Sequence, residues 1–260
     1  MYAMVFAAGL GTRLKPLTLT RPKALCTLNG IPLLEIVLQR LAKAGVTHIV
    51  VNAHHFAQQI QQYLAQREPN GLTVYCSVEA DILLDTGGGL LHAQPFFEGV
   101  TAPFFVHNAD IITNLNLKNL YAAHLQQSQK YNQTLLATLA VQNRISSRQL
   151  LFDANGLLNA WQHINTKTNE IIQLRQAAQT ITPPLTSVAF SGVQVVHPKI
   201  FKVLRQQPNP VFSIIEAYLA AAQQGLPIRA FNHTGDIWCD TGTPQHLAAA
   251  EALLPSFFPD

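Results

Sequence analysis

The chain of 260 residues has little charge and few cysteines, and both shortages limit what it can be. Only 12% of its residues are charged, the formal net charge is +3, and no run of lysine and arginine is dense enough for a nucleic-acid surface. The three cysteines stand far apart without a C-x-x-C pair, which argues against a disulfide framework and against a zinc site. We therefore expect a cytoplasmic protein that does not bind nucleic acid.

Long apolar runs and repeats are also missing. No apolar stretch approaches the ~20 residues that span a bilayer, and the first residues read as a core strand without a charged leader. The absence of a hexapeptide repeat argues against an appended β-helical domain. With 48% hydrophobic residues the chain can bury one substantial core, so we expect a single domain over residues 1–260 with no membrane partner. The sequence leaves the oligomeric state open, a homo-oligomer included.

What the sequence does contain is an apolar strand that runs into a glycine loop with two cations. Residues 5–18 read V-F-A-A-G-L-G-T-R-L-K-P-L-T, and R-P-K-A-L follows at 21–25. Gly9 and Gly11 let main-chain N–H groups approach an anion without a Cβ in the way, and Arg13 and Lys23 add charged donors. This combination predicts a polyphosphate site.

The loop lacks the marks of two commoner phosphate sites. Leu14 stands at the third glycine position of a dinucleotide fingerprint, and Pro16 would interrupt a helix there. No Gly-Lys-Ser/Thr follows at Walker A spacing. A nicotinamide oxidoreductase is therefore disfavoured, and we expect residues 9–22 to form a long phosphate loop.

Short apolar strands alternate with amphipathic helices over the first half of the chain. The predicted elements are strands at 2–7, 48–52, 72–78 and 104–107, and helices at 32–44, 56–65, 88–96 and 117–127. This alternation predicts an α/β, Rossmann-like fold: a mostly parallel mixed sheet with helices on both faces and ligands at the carboxyl ends of the strands.

The pattern changes after residue 134. Predicted strands at 135–141, 150–152 and 157–162, with the turn D-A-N-G at 153–156, indicate a small β-rich, lid-like insertion over 142–185. Within it, the polar segment 165–184 is predicted to be a surface loop. The chain then returns to the α/β pattern, with strands at 188–196, 228–231 and 235–239 and helices at 198–205, 213–224 and 244–254.

The long pattern A-A-G-x-G-T-R-L-x-P-L-T-x-x-x-P-K-A-L resembles the signature of the sugar-1-phosphate nucleotidylyltransferases. Further matches follow in that family's order: V-N-A-H at 51–54, L-D-T-G-G-G at 84–89, N-A-D at 108–110, F-S-G at 190–192 and W-C-D-T-G-T-P at 238–244. They cover nearly the whole chain and are weakest over 142–185, the insertion expected to shape the sugar site. The resemblance implies transfer of a nucleotidyl group from a nucleoside triphosphate to a sugar 1-phosphate, which gives an NDP-sugar and pyrophosphate.

Several of these segments are most similar to the N-acetylmuramate-1-phosphate uridylyltransferases of cell-wall recycling, which implies UTP as the nucleotide. Mannose-1-phosphate guanylyltransferases share much of the pattern, so they and other hexose or heptose 1-phosphate nucleotidylyltransferases are the alternative. An alternative of another class is a catalytically silent homologue that binds nucleotide-sugars for regulation. The intact Arg13, Lys23, Asp110 and Asp240 argue against that last alternative.

Asp110 and Asp240 each follow a short apolar strand, which predicts that both reach the edge of the sheet beside the phosphate loop. Two carboxylates suit Mg²⁺, which completes its shell with water and substrate phosphates. Together with the resemblance, this implies that Asp110 and Asp240 are metal ligands and that they form the catalytic set with Arg13 and Lys23. Ala109 stands where relatives often have glycine.

The remaining substrate contacts are implied by the resemblance. The nucleotide-binding set is Ala8, Gly9, Gly11, Thr12, Arg13, Lys23, Thr86, Gly87 and Gly88, and the sugar-phosphate set is Asn108, Gly192 and Arg148, the last within a clamp of Arg144, Ser146, Ser147 and Arg148. Main-chain groups of the glycine segment are expected against the base and ribose, just before a helix. Glu79 is either an acceptor for the base or an exposed side chain. Ser191 lacks both G-x-S-x-G and an evident base, which argues against a hydrolase nucleophile.

Overall fold

The computed structural model describes residues 1–68, 70–130, 135–177 and 184–257, whose central feature is a ten-stranded sheet with helices on both faces. The strands are β1 (Tyr2–Phe6), β2 (Thr27–Leu28), β3 (Ile31–Pro32), β4 (His48–Ala53), β5 (Thr73–Val78), β6 (Phe104–Asn108), β7 (Ile111–Thr113), β8 (Ala137–Gln142), β9 (Arg148–Phe152), β10 (Leu158–Ile164), β11 (Ile171–Gln176), β12 (Thr186–Val196), β13 (Ile228–Asn232) and β14 (Trp238–Asp240). The helices are α1 (Leu33–Lys43), α2 (Ala57–Gln66), α3 (Asp85–His92), α4 (Leu117–Lys130), α5 (Ile200–Leu204), α6 (Ile214–Gln223) and α7 (Pro244–Phe257).

Four neighbouring strands, in the order β6-β1-β4-β5, are parallel. The central strand β1 is buried on both sides, with Met4 in the core layer under α3, α5 and α6, and Val5 in the layer under α1, α4 and α7. A strand covered on both faces is apolar throughout, which is why the sequence reads there as a continuous hydrophobic run. The predicted α/β fold, with a Rossmann-like mixed sheet between two helical layers, is confirmed.

The antiparallel half of the sheet is built around the long strand β12. It pairs with β6 and β8, and its first residues, Thr186 to Val188, pair with β9. Strands β10 and β11 continue from β9, so the strands of segment 142–185 extend the central sheet. The prediction of a loop over 165–184 is wrong for residues 171–176, which form strand β11. This edge strand is exposed along its whole length, and because it has no buried face its sequence does not alternate between apolar and polar residues. Part of that segment, residues 178–183, lies outside the described ranges.

A small two-stranded sheet brings two distant parts of the chain together. In it β14 pairs antiparallel with β7, so that Asp240 lies opposite Ile111, beside Asp110. The following residue, Thr241, donates from its backbone N and its Oγ1 to the Asp110 carbonyl oxygen at 3.0 and 2.9 Å. These pairings place the two predicted metal ligands next to each other. Within the described ranges, no helix combines the length and apolarity needed to cross a membrane.

Candidate active site

The phosphate loop leaves β1 and contains short 3₁₀ turns at Thr12–Leu14, Leu17–Leu19 and Lys23–Leu25 in place of an α-helix, as Pro16 predicts. Gly11 has a φ of 62°, and a Cβ there would lie 2.9 Å from Thr18 Cγ2, so this glycine is required for the loop to fold on itself. A Cβ at Gly9 would have no neighbour within 4 Å. Gly9 instead borders a cavity of ≈ 160 Å³ together with Lys23, Thr86, Asn108 and Asp110.

The four predicted catalytic residues lie together, and two of them, Lys23 and Asp110, line this cavity. The Lys23 ammonium contacts Asp110 Oδ2 and lies 3.7 Å from Asp240 Oδ1, and Arg13 Nη2 lies 3.5 Å from Asp240 Oδ2. Lys23 is buried, whereas the Arg13 side chain is 64% exposed. A buried ammonium needs charged partners, and here two carboxylates supply them. The two carboxylates therefore hold the Lys23 ammonium in place, whereas most of the Arg13 side chain is exposed at the surface.

The chemistry of this cluster fits a magnesium ion. Asp240 Oδ1 is buried without a hydrogen-bond partner, and both it and the Asp110 carboxylate lie beside the Lys23 ammonium. The part of the chain that the structure describes has no cluster of three or more His, Cys, Asp or Glu side chains. Mg²⁺ is the cation that two carboxylates can hold when water and phosphate oxygens complete its shell. Gly242 lets Arg13 and Asp240 approach each other, since a Cβ on residue 242 would lie 2.6 Å from Arg13 Nη2 and 2.7 Å from Asp240 Oδ1.

A buried polar pair braces the start of the phosphate loop. Asn52 Oδ1 accepts from Ala7 N at 2.7 Å, and Asn52 Nδ2 donates to Glu79 Oε1 at 2.6 Å. The other carboxylate oxygen of Glu79 accepts from Leu84 N at 2.9 Å, just before α3. Glu79 is only 2% exposed, so its interpretation as a surface side chain is wrong. The carboxylate links the loop, β4 and α3, a role that sequence spacing alone did not indicate.

The glycine segment lies inside the first turns of α3, not before the helix as predicted. The backbone N–H groups of Gly87 and Gly88 donate to Phe212 O at 2.9 and 3.2 Å. A Cβ at Gly87 would overlap the Phe212 ring, and one at Gly88 would overlap the Pro210 carbonyl oxygen. The missing side chains therefore let residues 210–212 pack onto the helix. Contact of this segment with base and ribose remains a prediction.

A second, larger cavity of ≈ 680 Å³ adjoins the first, since Thr86 and Asn108 line both. It contains all three predicted sugar-phosphate residues, Asn108, Gly192 and Arg148. Gly192 has a φ of 73°, and a Cβ there would lie 2.9 Å from Asn108 Nδ2, so the close approach requires glycine. The volume is in the range of small-molecule sites, roughly 300–1,000 Å³. The structure thus joins the phosphate loop to a pocket large enough for a sugar phosphate.

Three of the four residues of the predicted clamp line the larger cavity. Arg144 and Ser146 line the larger cavity with Arg148, whereas Ser147 is exposed outside it. The Arg144 guanidinium carbon lies 3.7 Å from the centre of the Trp238 ring, and its Nη2 donates to Phe190 O at 2.8 Å. Burial lowers the pKa of Arg144, and the charge of nearby Asp240 opposes that shift. Arg144 is therefore a fixed cation at the end of the cavity that holds Asp240.

The opposite wall of the larger cavity consists of residues that the sequence did not single out, apart from Arg148. We define the β9–β11 wall as six cavity-lining side chains in two cross-strand rows: Arg148, His163 and Gln173 in one, and Leu150, Trp161 and Arg175 in the other. Residues two apart on a strand face the same side, so the two rows form one surface. The weak family match over 142–185 left no motif by which to find it.

Ser191 has a base that the sequence did not reveal. His233 Nε2 lies 2.8 Å from Ser191 Oγ, and Asp236 Oδ2 lies 3.4 Å from His233 Nδ1. Ser191 is fully buried, however, and its carbonyl oxygen accepts from Trp238 Nε1 at 2.9 Å. Although Ser191 is among the residues around the larger cavity, it has no exposed surface and its hydroxyl is paired with His233, so we assign it a structural role: its carbonyl oxygen holds the Trp238 ring that lies beneath Arg144.

Comparison with known proteins agrees with this geometry. The family model described as "Nucleotidyl transferase" matches residues 2–146, more than half of the chain. The N-acetylmuramate alpha-1-phosphate uridylyltransferase of Caulobacter vibrioides is 30% identical over 259 residues, 97% of this chain and 96% of that protein.

Two other matches are shorter or more distant. The mannose-1-phosphate guanyltransferase of Gibberella zeae is 35% identical over 125 residues, which is 48% of this chain and 34% of that protein. The inositol-1-phosphate CTP transferase of T. maritima has the same fold, with a TM-score of 0.72 at 16% identity over 98% of this chain and 95% of that one. Motifs, fold and whole-length similarity agree: the chain belongs to the nucleotidyl transferase family and, within it, to the sugar-1-phosphate nucleotidylyltransferases.

Proposed function

We propose that this protein transfers the uridylyl group of UTP to N-acetylmuramate 1-phosphate and releases pyrophosphate. In this reaction a phosphate oxygen of the sugar 1-phosphate attacks the α-phosphorus of the triphosphate. The bond from that phosphorus to the bridging oxygen of the leaving pyrophosphate breaks, and UDP-N-acetylmuramate forms. The sugar phosphate is already ionised at neutral pH, so no general base is required.

The observation that carries this proposal is the convergence of Lys23, Asp110 and Asp240 where the two cavities adjoin. The small cavity beside Gly9 would take phosphates of the triphosphate, and the larger cavity would take the sugar. Asp110 and Asp240 would hold Mg²⁺, which when bound neutralises phosphate charge at the reacting phosphorus.

Two cationic side chains of the protein, Lys23 and Arg13, neutralise the remaining phosphate charge. Lys23 contacts the phosphates on either side of the exchanged bond, and Arg13 binds the β- and γ-phosphates that leave. With little covalent chemistry for the protein to perform, positioning and charge neutralisation supply the catalysis.

The choice of substrates rests on the extent of similarity. The match with the muramate enzyme spans 97% of this chain, and it therefore extends through strands β9 to β11, which line the larger cavity. The match with the mannose enzyme of Gibberella zeae covers 48% of the chain, and the mannose enzymes that match over 94–98% of the chain do so at 25–26% identity and are longer proteins, of which 62–63% is covered. Guanylyl transfer to mannose 1-phosphate is the second candidate, supported by the higher identity over that part.

The test is a matrix of nucleoside triphosphates against sugar 1-phosphates, with pyrophosphate release measured in the presence of Mg²⁺. We expect UTP with N-acetylmuramate 1-phosphate to give the highest kcat/KM. Preference for GTP with mannose 1-phosphate would favour the second candidate. If ligands stabilise the protein in thermal unfolding but no pair reacts, the catalytically silent homologue is the better description.

A further inference from the structure

The larger cavity has two chemically different ends. Arg144, Trp238 and Asp240 stand at one end, next to the metal-binding carboxylates. At the other end the β9–β11 wall faces the first turn of α6, and Arg175 on β11 joins the two by an ion pair with Glu216 at 2.8 Å. A sugar 1-phosphate whose phosphate lies at the metal end must direct its ring substituents toward this second end.

Arg175 is held in position but keeps donors available. Only its Nη1 donates to Glu216, and among the residues that the structure describes no other hydrogen-bond acceptor reaches its guanidinium. Its guanidinium carbon lies 5.5 Å from the centre of the Trp161 ring, and its side chain, which lines the cavity, is 44% exposed. A guanidinium carries five N–H donors in a planar fork, so one edge is free to bind a carboxylate.

The acidic partner does not cancel this positive end. Glu216 Oε2 accepts from Ser213 N at 3.4 Å and completes the capping box of α6, so its charge lies where the helix N-terminus is partially positive. Arg148 stands in the neighbouring row of the same wall, and within the described ranges its guanidinium donates no hydrogen bond, since Ser146 pairs only with its backbone. Two guanidinium groups and two polar side chains, His163 and Gln173, thus surround the apolar face of Trp161.

We infer that the β9–β11 wall recognises a carboxylate on the sugar, with Arg175 as the residue that distinguishes acidic sugar 1-phosphates from neutral ones. Arg175 binds the carboxylate through its free edge, and Trp161 packs against the alkyl part of the substituent. This inference deepens the proposed function, because N-acetylmuramate differs from N-acetylglucosamine by one lactyl ether that ends in a carboxylate.

The test compares two sugar 1-phosphates that differ only in that group. With UTP and Mg²⁺, Arg175→Gln should lower kcat/KM for N-acetylmuramate 1-phosphate about 10- to 100-fold, mainly through KM, which is the range for losing one charge-assisted hydrogen bond. Its kcat/KM for N-acetylglucosamine 1-phosphate should stay within about twofold of the wild type. Arg175→Lys should restore part of the loss, since it keeps the charge without the fork.

Two matched variants separate recognition from structure. Glu216→Gln keeps the capping box and Arg175, so the preference for the acidic sugar should persist or increase. Arg205→Gln removes an exposed arginine outside this cavity and should leave kcat/KM for both sugar 1-phosphates unchanged. Equal losses on both sugars in Arg175→Gln and Glu216→Gln would show that the ion pair is only structural and would overturn the inference, as would an Arg175→Gln variant without any loss.

The inference can also fail or survive separately from the proposed function. If the wild type does not use N-acetylmuramate 1-phosphate, the proposed substrate is wrong, and glucuronate 1-phosphate is then compared with glucose 1-phosphate. A preference for the acid that Arg175→Gln removes would keep the carboxylate subsite. The inference would be overturned if the wild type preferred neither acidic sugar 1-phosphate over its neutral counterpart.

Discussion

The two ends of the active-site cleft are built in different ways. The phosphate end uses backbone, glycine and one buried ammonium between two carboxylates: the loop follows core strand β1, Asp110 follows core strand β6, and Asp240 ends β14. The sugar end uses long side chains on β9 to β11, and β11 is an exposed edge strand. Charge neutralisation at a reacting phosphorus needs fixed groups, whereas substrate choice can be altered by changing a few side chains. We therefore expect damage at the first end to abolish turnover and damage at the second to change specificity.

The largest effect should come from the carboxylates. Asp110→Asn and Asp240→Asn each replace a carboxylate of the proposed metal site by a neutral amide, and we expect kcat/KM to fall by about 10³-fold for every substrate pair. Asp153→Asn, in the exposed turn between β9 and β10, is the matched control and should leave the rate unchanged. Pyrophosphate release over a Mg²⁺ titration measures this. Full activity of either variant would remove that residue from the metal site.

The two cations should differ because their burial differs. Lys23→Met leaves two adjacent carboxylates without their ammonium, and we expect a loss of about 10²-fold in kcat. Arg13→Met removes a side chain that is 64% exposed and paired at 3.5 Å, for which we expect about tenfold. Steady-state rates with saturating UTP give both values. The reverse order would show that the buried lysine is structural.

The two loop glycines offer a sharper contrast. Gly9→Ala adds a methyl group to empty space beside the small cavity, so the melting temperature should not change while KM for UTP rises about tenfold. Gly11→Ala meets Thr18 at a φ of 62°, so it should lower the free energy of unfolding by about 1–3 kcal/mol. Thermal unfolding and UTP kinetics on both variants check this. An unchanged KM in Gly9→Ala would mean that the triphosphate does not bind there.

At the sugar end, Trp161→Ala should raise KM for the sugar 1-phosphate about five- to tenfold and leave KM for UTP unchanged. Its ring lines the cavity as part of the β9–β11 wall and also packs against the core, so its loss should remove packing against the substrate and lower the stability of the protein as well. Kinetics with each substrate varied in turn separate the two constants. A rise in both would show that the wall also shapes the nucleotide site.

The smallest effect on turnover is expected at a residue that belongs to neither end and influences stability alone. His124 on α4 is fully buried, and burial lowers its pKa to about 4. In the unfolded chain this imidazole binds a proton near pH 6.5, so the unfolded state takes up more protons and stability falls as the pH drops from about 6.5 to 4. His124→Asn can keep the hydrogen bond to Thr138 and should reduce that acid loss by about 2–3 kcal/mol, without a change in kcat at pH 7. Urea unfolding at several pH values gives the free energy of unfolding of both proteins as a function of pH. The same pH dependence in the two proteins would contradict the expected titration.

The phosphate end could be predicted from the sequence because its chemistry depends on local rules. Glycines that admit a close backbone approach, a proline that interrupts a helix and aspartates at strand ends are visible in one stretch of chain. The wall of β9 to β11 could not be predicted, because β11 lacks the alternation of a half-buried strand. The pairing of Trp161 with Arg175, and of Arg175 with Glu216, depends on register and helix packing. Burial of Glu79 was equally hidden, since its partner Asn52 lies on another strand.

The most direct test of the central claim is anomalous diffraction from crystals grown with Mn²⁺, UTP and a sugar 1-phosphate. The account predicts one strong peak within coordination distance of both Asp110 and Asp240, with triphosphate oxygens in its shell and Lys23 beside them. A triphosphate bound with its metal at any other place, or a peak that only one of the two carboxylates reaches, would contradict it.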